Sequence, residues 1–207
     1  MKIRNDYVSN SSSSSFIVIC DTNKENLLEK YPNVQFSYSE YNPLMLPSSE
    51  YGGQCSFGWE FEKYNSFWSK LNWCAILITE LEMYVNMPEE DKKWYTESEY
   101  SIQMYKERLA FAIEHFEEYK NMLIDVCKSE FNLHVDVLSY AEADKLWAYI
   151  DHQSSIFEKP ENARMFESEY ELIDFLTSTD SYIRTGNDNS YPPDDWNEYE
   201  DESEVTF

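Results

Sequence analysis

A stripe of apolar side chains between residues 98 and 128 limits the possible folds of this chain more than any other feature. Its members follow one another at alternating intervals of three and four residues: Ile102, Tyr105, Leu109, Ala112, Phe116, Tyr119, Leu123 and Val126. This spacing places them on one face of a helix of about 30 residues. Phe111, Ile113 and Cys127 widen the stripe, which favours packing within the chain over a coiled-coil dimer, the alternative that stays open.

Two further helices are predicted to begin at serine caps. Ser66 precedes an apolar segment that extends to about Tyr84, and the apolar residues of this segment cover more than one helix face. We therefore expect this helix to lie deep in the core. Ser168 similarly precedes a helix that contains Tyr170 to Leu176.

A third serine stands at the spacing of a capping box. Ser139 is followed three residues later by Glu142, and such pairs open helices because each side chain bonds the other residue's backbone N–H. The pattern predicts a helix over Leu146, Trp147 and Ile150.

Strand patterns are interleaved with these helices. Residues 16–20 form a continuous apolar run, residues 55–61 and 131–137 alternate between apolar and polar, and residues 182–184 can form a last short strand. This order predicts a mixed α/β chain, with α+β favoured over a doubly wound sheet. We expect a single domain over 1–185, with a small sheet and the long helix, followed by an acidic extension over 186–207.

Charge restricts the partners of the chain. There are 40 Asp and Glu against 16 Lys and Arg, so the net charge is −24. Nucleic acids and anionic membranes would be repelled, which leaves basic partners. Neither a signal peptide nor an apolar run long enough to cross a membrane is visible, and the four cysteines show no paired spacing. We expect a cytoplasmic protein with reduced cysteines.

The glycine shortage excludes several enzyme classes. With four glycines, the chain contains neither the P-loop nor the dinucleotide-binding pattern, and the nucleophile-elbow pattern is also missing. We expect no cofactor, and no residue is singled out as catalytic. Weak candidates for a metal or acid–base site are Glu60 and Glu62 on one predicted strand and His134 and Asp136 on another, provided that the two strands are neighbours.

The acidic end of the chain is the stronger functional lead. Residues 165–207 contain 13 Asp and Glu against one Arg, whereas residues 1–164 contain 27 acids and 15 bases. Aromatic residues are interleaved with the acidic residues of the extension. The candidate partner-binding residues are Asp188, Asp194, Asp195, Trp196, Glu198, Tyr199, Glu200, Asp201, Glu202 and Glu204. One reading is a solvated tail. The other is a ligand for a basic groove, in which carboxylates replace phosphates.

The first seventeen residues carry a distinctive string. The string ends in five serines, Ser11–Ser15, and in the apolar run that begins at Phe16. Before the serines it contains the basic residue Arg4, then Asp6, Tyr7, Val8, Ser9 and Asn10. This string resembles the N-terminal signature of a group of uncharacterised proteins from bacteriophages and Gram-positive bacteria. The resemblance implies a phage or mobile-element origin and no mechanism. The serines can bind an anion or be modified, or can simply bond their own backbone.

These observations lead to one main hypothesis and two alternatives. The main one is a viral, phage-type interaction protein that binds and inhibits a basic, nucleic-acid-binding host protein as a counter-defence inhibitor and nucleic-acid mimic. The first alternative is a metal-dependent or acid–base enzyme that uses the strand carboxylates and His134. The second is a virion or assembly component that oligomerises through the 98–128 helix.

Overall fold

In this computed structural model, a helix whose first three turns are almost entirely buried runs through the middle of the structure. This helix, α1, covers Phe67–Asn86, and the Ser66 hydroxyl oxygen at its start accepts a hydrogen bond from the Ser69 N–H at 3.1 Å. Every residue from 69 to 79 is buried. A helix with apolar residues on all faces belongs in a core, so the predicted cap and the predicted deep position are both confirmed.

The structure describes residues 2–5, 16–19, 44–46, 56–58, 62–95, 98–131, 133, 135–150, 166, 168–178 and 180–185. The helices that surround α1 are α2 (Glu99–Phe131), α3 (Tyr140–Lys145) and α4 (Glu169–Thr177), and a 3₁₀ helix (Asp91–Tyr95) connects α1 to α2. α1 packs against α2, α3 and α4, and α2 also contacts α4. The core of the described residues is therefore built mainly between helices.

The strands are short, and they form one larger sheet and two small pairs. In chain order they are β1 (Lys2–Asn5), β2 (Phe16–Ile19), β3 (Leu44–Leu46), β4 (Ser56–Phe57), β5 (Glu62–Tyr64), β6 (Val135–Val137), β7 (Tyr149–Ile150) and β8 (Tyr182–Thr185). The larger sheet has the order β1-β2-β8-β5 and every pairing in it is antiparallel. β3 pairs with β6 and β4 with β7, both in parallel. A mixed α+β fold is confirmed.

The long helix and its apolar stripe are also confirmed. α2 has 33 residues, and the stripe residues Ala112, Tyr119, Leu123 and Val126 are buried in the core that α1 shares. The stripe thus packs within the chain. Ile113 differs from the prediction: 67 % of it is exposed, because it lies outside the face that meets α1.

Two predicted strands are corrected by the structure. The alternation over 55–61 does not form one strand, because Gly58 follows β4 with φ 105° and β5 begins only at Glu62, in a different sheet. That φ lies in the region that glycine adopts without steric cost, and it turns the chain. The alternation over 131–137 also begins too early, because Phe131 is still part of α2 and the strand starts at Val135.

The helix predicted after Ser139 is shorter than expected. The Ser139 backbone N–H donates to Glu142 Oε2 at 3.0 Å, so the capping position was correct. However, α3 ends at Lys145, Leu146 and Trp147 form a turn, and Ile150 belongs to β7. The helix predicted after Ser168 is confirmed, with the cap accepting from the Glu171 N–H at 3.2 Å.

A buried lysine connects three parts of the fold. Lys70 on α1 is 1 % exposed, and its Nζ donates to the carbonyl oxygens of Ser178 at 2.7 Å and Ser181 at 3.3 Å. Ser178 is the C-cap of α4, where helix carbonyls lack partners in the helix and favour a cation. Ser181 directly precedes β8. The ammonium group therefore fixes the end of α4 and the start of β8 to the central helix.

We expect Lys70→Met to lower the free energy of unfolding by about 2–4 kcal/mol, because two buried carbonyls lose a donor that methionine cannot replace. Urea unfolding followed by circular dichroism measures the change. The control is Lys106→Met at an exposed position of α2, with an expected change within about 0.5 kcal/mol. Equal stability of the two variants would contradict the anchoring role of Lys70.

Candidate functional site

The strand carboxylates predicted as a weak metal or acid–base site are divided between two sheets. Glu62 lies on β5, which pairs with β8, whereas Asp136 lies on β6, opposite Met45 of β3. Strand pairing therefore does not supply the juxtaposition that the site requires. Glu60 and His134 lie outside the described residues. Within the described part of the chain, no group of three or more His, Cys, Asp or Glu side chains is arranged to hold a metal ion.

The core contains two cysteines, one on each of two helices that pack against each other. Cys74 on α1 and Cys127 on α2 are free thiols and fully buried. Burial raises the pKa of Cys74 well above its usual value, and the neighbouring Cys127 adds to the effect. Burial raises the pKa of Cys127 to about 12. Both groups are neutral at physiological pH, and a neutral thiol is a poor nucleophile and metal ligand.

His115 belongs to a charged face of α2. Its Nδ1 lies 3.1 Å from Glu118 Oε2, and its Nε2 lies 3.9 Å from Glu114 Oε2. Its ring stacks on Tyr119 with 5.2 Å between centroids. These contacts orient the imidazole along the helix surface, which is a structural role.

Acidic side chains from separate elements converge around Tyr140 at the start of α3. The Tyr140 backbone N–H donates to Glu82 Oε2 of α1 at 2.8 Å. Partial burial raises the pKa of Tyr140, and the charges of Asp144, Glu80 and Asp91 raise it further. Asp144 shares α3 with Tyr140, Glu80 lies on α1 and Asp91 lies on the 3₁₀ helix, so three elements contribute to this negative charge.

We use the name acidic-aromatic face for the acids that act on Tyr140 together with the acidic and exposed apolar residues of α3 and the turn after it. It comprises Glu80, Glu82, Asp91, Tyr140, Glu142, Asp144, Leu146 and Trp147. Its apolar members are exposed: Tyr140 by 42 %, Leu146 by 59 % and Trp147 by 79 %. Lys92, Lys93 and Lys145 lie on the same elements, and Lys92 is 2.5 Å from Glu89. Carboxylates outnumber ammonium groups on this face.

Local hydrogen bonds hold the acidic-aromatic face in place. Glu142 accepts from the backbone N–H and, at 2.6 Å, from the hydroxyl of Ser139, and these bonds lower the pKa of Glu142. Arg108 Nη1 of α2 donates to the hydroxyl oxygen of Tyr84 on α1 at 2.8 Å and so joins the two helices. The Tyr95 ring lies 5.2 Å from that of Tyr105, which ties the 3₁₀ helix to α2. The carboxylates are thus presented on a packed support.

The ten partner-binding residues predicted in the extension all lie outside the described residues. Sequence reasoning missed the acidic-aromatic face, because it placed Leu146 and Trp147 inside a longer helix. One signal was available in the sequence: two small residues, Ala143 and Ala148, flank the bulky Leu146 and Trp147. In the structure the two alanines are buried and the two bulky residues are exposed.

Comparison of the chain with protein-family models, with curated proteins and with solved structures finds no match. None of the described helices is both long and apolar enough to cross a membrane.

We expect the thiols of Cys74 and Cys127 to resist an aromatic disulfide reagent at pH 8 in the folded protein and to react fully in guanidinium chloride, because both are buried and protonated. The measurement uses the Cys20→Ser/Cys55→Ser protein, in which these two thiols alone remain. Rapid labelling of either thiol before unfolding would show that the core opens readily.

The same thiols make stability fall at alkaline pH. The pKa of Cys127 is higher in the folded state than the value of about 8.5 expected in an unfolded chain. Above about pH 9 the unfolded chain therefore binds fewer protons, and the free energy of unfolding drops by up to about 1.4 kcal/mol per pH unit for this thiol. Urea titrations at pH 8, 9 and 10 measure the slope, and Cys127→Ala should make it shallower. An unchanged slope would contradict the assignment.

Proposed function

We propose that this chain is an acidic interaction protein, of the phage type that its N-terminal string resembles, which binds and inhibits a basic, nucleic-acid-binding protein of the host. The observation that carries the proposal is the distribution of charge. Of a net charge of −24, half lies in residues 165–207, and aromatic side chains are placed among the carboxylates.

The acidic-aromatic face supports the proposal from the described part of the chain. It repeats the composition of the extension, with carboxylates beside exposed Tyr140 and Trp147, but on packed elements. Aromatic and charged groups together are typical of protein interfaces, where rings fill pockets and charges guide the encounter. A basic surface evolved for phosphates can accept such carboxylates, because guanidinium and ammonium groups bind both anions.

The arrangement of the described residues favours binding over catalysis. The buried thiols are protonated, His115 is held by its helix neighbours, and strand pairing keeps Glu62 and Asp136 in different sheets. A binding protein needs none of these groups to be reactive. It needs a stable body that presents charge, and the helical core provides one.

We expect the eight acids of 186–207 to dominate binding to the basic partner. The tagged full chain captures the partner from a bacterial lysate, and calorimetry then measures its affinity at two salt concentrations. Replacing these acids with Asn or Gln should weaken binding by on the order of 100-fold at low salt and should reduce the salt dependence, because fewer ion pairs form.

The matched control removes the same charge elsewhere. Its eight exposed acids are Glu90, Glu99, Glu107, Glu114, Glu117, Glu118, Asp125 and Glu130. This variant should retain most of the affinity, and duplex DNA should compete with the unmodified chain for the partner. Equal losses of affinity in the two variants would show that net charge alone explains the binding. A partner that duplex DNA does not displace from the chain would overturn the nucleic-acid mimicry.

A further inference from the structure

Trp147 has a backbone conformation that its side chain disfavours. Its φ is 55°, and among the described residues it is the one non-glycine position with positive φ. A side chain with a Cβ meets steric conflict in this left-handed region, and a bulky aromatic residue is an uncommon occupant.

The turn that follows α3 imposes this conformation. The Trp147 N–H donates to the Asp144 carbonyl oxygen and the Ala148 N–H donates to that of Ala143, both at 3.0 Å. These two bonds define the Schellman motif, in which the residue at the Trp147 position is usually glycine. The two positions at which this motif usually makes its apolar contact are Ala143 and Ala148, which are 1 % and 5 % exposed.

Packing of the Trp147 ring does not compensate for this backbone conformation, because little of the ring is buried. It is 79 % exposed, and the preceding Leu146 is 59 % exposed, so the two largest apolar side chains of the turn point to water. Glycine at position 147 would satisfy the same two hydrogen bonds without a Cβ. The turn is held by its neighbours and displays the indole, which is the property of an interface anchor.

We propose that Trp147, supported by Leu146, is the anchor by which the body of this protein enters an apolar pocket bordered by Lys and Arg side chains on a protein partner. The proposal rests on the proposed function, to which it adds a second contact outside the extension. Charge complementarity selects the occupant, because exposed Glu142 and Asp144 lie on α3 directly before the turn. Glu82 of α1 also binds the Tyr140 N–H at 2.8 Å at the start of the same helix. A second copy of this chain or an anionic membrane would be repelled by the same carboxylates.

The first arm of the test measures stability and needs no partner. Trp147→Gly and Trp147→Asn should raise Tm by about 2–4 °C, because both residues accept the left-handed region. The control is Leu146→Ser, an exposed apolar residue with an ordinary φ of −93°, which should leave Tm unchanged. A lower Tm for both Trp147 variants would show that the indole stabilises the fold and would overturn the proposal.

The second arm measures binding to a displayed library of random peptides. The target is the full chain with the acids of 186–207 neutralised, so that the selected peptides report on the body alone. We expect enrichment of peptides in which Lys or Arg flank an apolar residue, and at least a tenfold loss of affinity in Trp147→Gly. Ile113→Ser, a comparably exposed apolar position on α2, should bind as well as its parent.

The outcomes separate this proposal from the one on which it rests. Absence of enrichment, acidic peptides, or affinities that Trp147→Gly leaves unchanged would each overturn the anchor, as would concentration-dependent dimerisation that Trp147→Gly abolishes. The contribution of the extension is measured with Trp147 intact, so its failure would leave the selected peptides and the Tm shifts unaffected.

Discussion

The arrangement of the helices and the larger sheet depends on the hydrogen bonds that the buried ammonium group of Lys70 donates. A charged group in a core is costly unless carbonyl or carboxylate oxygens surround it, and here the carbonyls of Ser178 and Ser181 meet it at hydrogen-bonding distance. Those carbonyls belong to the end of α4 and the approach to β8. Apolar packing alone would tolerate small sliding of α4 along α1, whereas a directional bond fixes one position.

The beginnings of helices were predictable because they depend on neighbouring residues. Ser66 and Ser168 bond to N–H groups three residues away, and the composition of α1 indicated that it would be buried on all faces. The ends of helices were less predictable. No glycine or proline marks the end of α3, so Trp147 in its left-handed turn was read as a continuation of the helix. Gly58, by contrast, was visible in the sequence as a break in the apolar–polar alternation of residues 55–61.

The candidate binding residues also differ in how predictable they were: those that are consecutive in the sequence were evident, whereas those brought together by tertiary packing were not. The acidity of 186–207 is a property of consecutive residues and was evident at once. The acidic-aromatic face joins Glu82 to Tyr140, which are 58 positions apart, and it also draws on Asp91. Only the packing of α3 against α1 brings them together, and no spacing rule within the sequence encodes that packing. Strand partners such as β5 and β8 were hidden for the same reason.

The position of β8 has a consequence for how the chain is made. β8 lies between β2 and β5, which precede it by more than 100 residues, so the larger sheet is in two pieces until residue 185 has been synthesised. Until then, β2 and β5 expose edges that can pair with other chains. The helices can assemble before that point, but the sheet closes only after β8 has been synthesised. A nascent chain that stalls before Tyr182 would therefore be prone to aggregate, whereas one that stops after Thr185 has every strand that the described sheet requires.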